Sequence, residues 1–87
     1  MRRLSEYIAD TMSMPKDVVM DLPKVSICGD REIFVENHKG LVEYTDTEIR
    51  LKMRDGMIHI KGSRLRIIVM EYDRMVINGV FDGVFYD

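Results

Sequence analysis

The sequence predicts a mainly β fold: a curled antiparallel meander of about seven strands, open-barrel or sandwich-like, behind a short N-terminal helical arm. Three observations predict it. Between Ile33 and Val76 apolar and polar residues alternate with the period of two that a half-buried strand requires. Turn-forming pairs interrupt that alternation at short intervals: His38-Lys39, Asp46-Thr47, Asp55-Gly56 and Gly62-Ser63. Treated as two-residue loops, these pairs bring apolar partners to a single face. Asp55-Gly56 pairs Met53 with Ile58 and Leu51 with Ile60 on that face, and Lys52 with His59 and Arg50 with Lys61 on the other. Asp46-Thr47 pairs Tyr44 with Ile49 and Val42 with Leu51. Gly62-Ser63 pairs Ile60 with Leu65 and Ile58 with Ile67, and His38-Lys39 pairs Val35 with Val42 and Ile33 with Tyr44. A slip of one residue anywhere sends an apolar set to the wrong face.

Residues 1–23 read as the helical arm and 24–87 as the β-domain. Leu4, Ile8 and Met12 recur at helical spacing and Tyr7 widens their stripe. Pro15 bars a continuous helix, 16–20 suit one short turn behind it, and Pro23 ends the arm. The first strand, 24–28, carries Val25 and Ile27. A three-residue loop, Gly29-Asp30-Arg31, sets Ile27 against Ile33 and Val25 against Val35. Strands follow at 32–37, 40–45, 48–54, 57–61 and 64 to about 71. A last strand starts near Met75, Asn78-Gly79 is a turn or bulge, and the apolar tail 80–86 adds a strand or short hairpin. Ile67, Ile68, Val69 and Met70 are apolar in succession, which predicts burial on both faces. Phe34 and Leu41 fall on the outer face. Cys28 reads as a small core residue. A sheet with one apolar face must curl, take the arm as cover, or pair with another copy.

Totals bound the function. Eighty-seven residues make one domain, and 46% apolar with 32% charged content argues against disorder. A lone cysteine excludes an internal disulfide and fits a reducing compartment. No stretch approaches the roughly 20 apolar residues of a membrane span. Met1-Arg2-Arg3-Leu4 lacks the apolar core of a secretory signal, so a cytoplasmic location is expected. Net charge is −2, yet 50–66 holds six cations against Asp55 alone. The pairing puts Arg50, Lys52, Lys61, Arg64 and Arg66 on one face beside His59. Such a face suits phosphate, anionic lipid or an acidic partner, and equally suits a solvated surface guarding sheet edges. It lacks aromatic residues for base stacking, which disfavours nucleic acid. His38 in a turn and His59 on the outer face make no metal or acid–base site. Asp30, Asp46, Asp55 and Asp73 serve turns. No catalytic, cofactor or metal constellation is expected, and the chain reads as a non-enzyme.

Two strings stand out, and the second is more specific than a generic hairpin needs. Pro15-Lys16-Asp17-Val18-Val19-Met20-Asp21-Leu22-Pro23-Lys24 precedes Gly29, and Glu36-Asn37-His38-Lys39-Gly40-Leu41-Val42-Glu43-Tyr44-Thr45 follows. From about Pro15 through Gly62 the chain resembles the YabP/YqfC family of sporulation proteins, the YqfC branch most closely. The resemblance implies a small soluble protein of the mother cell that takes part in endospore formation at the forespore envelope. It implies an adaptor or assembly role beside an integral membrane sporulation protein, with no enzymatic activity and no cofactor. Homo-oligomerisation remains open. Candidate contact residues are Arg50, Lys52, Lys61, Arg64 and Arg66 of the basic face and His38 and Lys39 of the second turn. The alternative reading is a small β-barrel binding nucleic acid or anionic lipid through the basic face.

Overall fold

Alternating apolar residues build six strands in the computed structural model, which describes residues 21–87. They are β1 (Lys24–Cys28), β2 (Glu32–Glu36), β3 (Gly40–Tyr44), β4 (Glu48–Met53), β5 (Gly56–Met70) and β6 (Arg74–Tyr86). They form one open antiparallel sheet in the order β1-β2-β6-β5-β4-β3. The arm expected over 1–23 lies outside the described residues except for 21–23.

The expected faces hold better than the expected neighbours. β1 and β2 pair as read, Val25 with Val35 and Ile27 with Ile33. Tyr44 pairs with Ile49 as read, but a bulge follows, so Leu41 and not Val42 stands opposite Leu51. Leu41 accordingly packs on the core and Val42 is exposed. The β4–β5 turn is Arg54-Asp55, one residue earlier than expected, pairing Leu51 with Ile58 and Ile49 with Ile60. The register therefore differs by two residues, and an even shift leaves every side chain on its face. Two expected turns are absent. Gly62-Ser63 lies within the single long strand β5, which reduces the count to six. At His38-Lys39 the chain crosses over, because β2 pairs with β6, Ile33 opposite Ile77 and Val35 opposite Met75.

That crossover forces the sheet to fold in half. Glu36 is level with Arg74, beside the β5–β6 turn, whereas Gly40 is level with Lys52 and, through it, Met57. In a straight ribbon Met57 and Met70 stand about 40 Å apart, yet the link from Glu36 to Gly40 reaches at most ~14 Å. The bend lies where β5 and β6 lose register, with shifts at Lys61/Gly62 and Ser63/Arg66. Both neighbouring hairpins stitch it. Gly62 N–H donates to the Thr47 carbonyl (3.1 Å) and Leu65 N–H to that of Asp46 (2.9 Å). Gly79 N–H donates to the Arg31 carbonyl (3.1 Å) and Phe81 N–H to that of Asp30 (3.0 Å). Folding over closes one core from both halves: Ile33 and Val35 of β2, Ile49 and Leu51 of β4, Ile58, Ile60 and Leu65 of β5, and Met75 and Ile77 of β6. Each such side chain contributes roughly 1.5–3 kcal/mol by leaving water.

Three further expectations about burial are overturned. Ile68, Val69 and Met70 are exposed, because a bulge between Ile67 and Val69 breaks the alternation on a segment that β4 no longer covers. Cys28 and Ile27 are exposed on the edge strand β1, beyond the reach of the core. His38, expected at a turn surface, is only 3% exposed.

Candidate functional site

The link 37–39 is a clasp between the two ends of the folded ribbon. Asn37 N–H donates to the Asp73 carbonyl in the β5–β6 turn, and Lys39 N–H to the Lys52 carbonyl of β4, both at 2.7 Å. Asn37 takes a left-handed backbone, φ +63°, which its short polar side chain tolerates. Its Nδ2 donates to the Leu22 carbonyl at 3.0 Å, and Lys39 Nζ reaches the Asp21 carboxylate at 2.8 Å. The Lys39 ammonium, followed by the Asn37 amide, holds the Asp21 carboxyl below its usual range. Between them His38 Nδ1 accepts from Gly40 N–H at 3.0 Å. Its Nε2 is buried without a hydrogen-bond partner among the described residues. Burial lowers the pKa of this imidazole, partly offset by the Asp73 charge. His38 is thus a buried brace and Lys39 the exposed cation of the pair.

The basic candidates do not form one field of cations. Across the outer face of the first half, Glu43, Arg50, His59 and Phe85 stand in one row. Glu43 pairs with the Arg50 guanidinium. His59 Nδ1 is hydrogen-bonded to the Glu48 carboxylate at 3.1 Å, and its Nε2 lies 2.6 Å from the Asp87 carboxylate without hydrogen-bond alignment. The hydrogen bond from His59 is the main reason the Glu48 carboxyl sits below its usual range. Lys61 Nζ lies 5.6 Å from the Phe85 ring centroid, within cation–π reach, so the face does carry an aromatic residue. Lys52 is exposed. Arg64 and Arg66 lie beyond these, at and past the bend. Counting charges over 50–66 missed the acids because Glu48 lies just before that window on β4, while Glu43 comes from β3 and Asp87 from the residue after β6.

A second surface is apolar. The β4–β5 ladder ends at Lys61, so from Arg66 to Met70 β5 pairs with β6 alone. Ile68 is 48%, Val69 41% and Met70 55% exposed, and Tyr72 in the following turn is 98% exposed. Phe34, Val69, Met75 and Val76 line a shallow cleft of about 200 Å³ there. The Tyr44 hydroxyl accepts from the Ile67 N–H at 3.0 Å, capping one edge donor. The sequence signal for this edge was the apolar run 67–70, read as burial.

Comparison with known proteins adds the lineage. A model of the YabP family matches residues 21–87. The chain is 31% identical over 84 residues to the uncharacterized protein YqfC of Bacillus subtilis (strain 168), covering 97% of this chain and 90% of that protein. No solved structure matches.

Proposed function

The chain belongs to the YabP family, and from that premise we propose that it is a non-enzymatic adaptor of sporulation, working at the forespore envelope with a membrane-protein partner. The observation that carries the reading is the open edge at the end of β5. Beyond Lys61 this stretch of β5 pairs with β6 alone, and with exposed Ile68, Met70 and Tyr72 beside it, it suits main-chain pairing plus apolar contact, the mode by which an extended segment adds to a sheet. No helix among the described residues is long and apolar enough to cross a membrane, so envelope placement in this reading comes from the partner. The non-enzymatic part is supported by how the histidines are used: His38 braces the clasp and His59 is tied to Glu48. The interleaved acids on the outer face favour a protein partner over nucleic acid or anionic lipid. A tagged copy in sporulating cells is expected to gather at the forespore envelope and to co-purify with an envelope protein. A diffuse signal with no such protein recovered refutes the reading.

A further inference from the structure

Arg64 stands where a glycine is expected. Ser63 pairs with Val80 and Arg66 with Asn78, so Arg64 and Leu65 together oppose Gly79 in a bulge. In the bulge type with a left-handed first residue that position is normally glycine. Arg64 adopts φ +53° there, a conformation that costs a long side chain of its type energy. The fold gains nothing evident from its guanidinium, which makes no hydrogen bond or ion pair among the described residues and is exposed.

What the strained backbone does is present that guanidinium to a cleft. Arg31, Glu32, Arg64, Asn78, Gly79 and Val80 line a space of about 370 Å³ beside the bend. Arg31 uses Nε on its neighbour Asp30 at 3.2 Å, leaving its two terminal nitrogens available. Strain and a pair of guanidinium groups thus meet in one place.

We propose that this cleft binds an acidic peptide segment of a partner protein, with Arg31 and Arg64 taking its carboxylates. The lining decides against a bare phosphate. Glu32 is an acceptor that carries negative charge, and a phosphate dianion brings only more of both. A peptide brings carboxylates for the arginines and an N–H for Glu32. The site is separate from the β5 edge and stands whether or not sporulation is the setting.

The test uses the full chain and a short fluorescein-labelled peptide of alternating aspartate and glycine, read by fluorescence anisotropy at low ionic strength. The parent is expected to bind it, and Arg64→Asn and Arg31→Gln each to weaken binding about tenfold or more, the effect of one charge-assisted contact. Arg64→Asn is expected to melt no lower than the parent, because asparagine tolerates the left-handed backbone. Arg31→Gln, on an exposed turn, keeps the test open should the bulge variant fold poorly. No binding by the parent, equal binding by both variants, or displacement of the probe by inorganic phosphate at matched ionic strength overturns the proposal. So does equal binding of a lysine–glycine peptide.

Discussion

Protonating His38 would put a second buried donor where the Gly40 N–H now finds an acceptor. The neutral ring is therefore the folded form, and burial holds its pKa below the ordinary 6.5. The sign follows from linkage. An unfolded chain takes up this proton as pH drops below about 6.5 while the folded chain resists, so stability present above that value is lost as pH falls. We expect urea unfolding to show a weaker protein at pH ~5.5 than at pH ~7.5, and His38→Gln to flatten that slope while costing about 1–2 kcal/mol at the higher pH. A variant with the parent's slope would show that another group titrates. Asp21 and Glu48 act lower, since both carboxyls are held below their usual range. Their contribution is present above the carboxylate range and is lost only as pH falls into it, in parent and variant alike. At this scale the sequence was half legible. Asn37 and Gly40 announced a change of chain direction by their backbone preferences, but the burial of His38 comes from the β5–β6 turn and β4 closing around it, which no local pattern encodes.

The bend in β5 rests on one side chain's absence. A Cβ on Gly62 would lie 2.1 Å from the Val80 carbonyl oxygen and 3.1 Å from the Phe81 Cα, both backbone atoms of the partner strand. Alanine there forces the two strands apart at the bend, and Gly62→Ala is expected to cost about 2–3 kcal/mol in chemical denaturation. Ser63→Ala, exposed one residue on, should stay within roughly 0.5 kcal/mol. Equal effects would show that the bend does not depend on close approach. Glycine followed by serine reads as a turn because turns and bulges draw on the same residues. The bulge at Arg64-Leu65 shifts the alternation by one residue, as the expected two-residue turn would, so the periodicity placed Ile58, Ile60 and Leu65 correctly in the core while misjudging whether the strand reverses. The charged face failed for a related reason. Arg50 and Lys61 were assigned to the correct side, but their acidic and aromatic neighbours are set by pairings with β3 and β6.

Across the whole molecule, face was legible except at the β3 bulge, where Leu41 and Val42 exchange sides, and neighbourhood was not. Any even shift in register preserves which side chains point inward, so the pattern cannot separate a meander from a ribbon folded over a crossover. The folded ribbon leaves unequal edges, and the apolar one at the end of β5 bears the functional argument. Ile68 sits at a bulge with about half its surface in water, so Ile68→Lys removes little packing and should change stability by no more than about 1 kcal/mol. The same lysine sets a charge where an incoming strand would lie, the device that natural sheets use to close an edge. Recovery of the envelope protein by tagged Ile68→Lys is therefore expected to fall well below that of the parent, with thermal melting unchanged. Light scattering across concentration separates the occupants. If the parent's mass rises with concentration and the variant's does not, the edge pairs with a second copy. If both stay monomeric while recovery falls, the edge belongs to the partner. Undiminished recovery would remove the β5 edge from the contact.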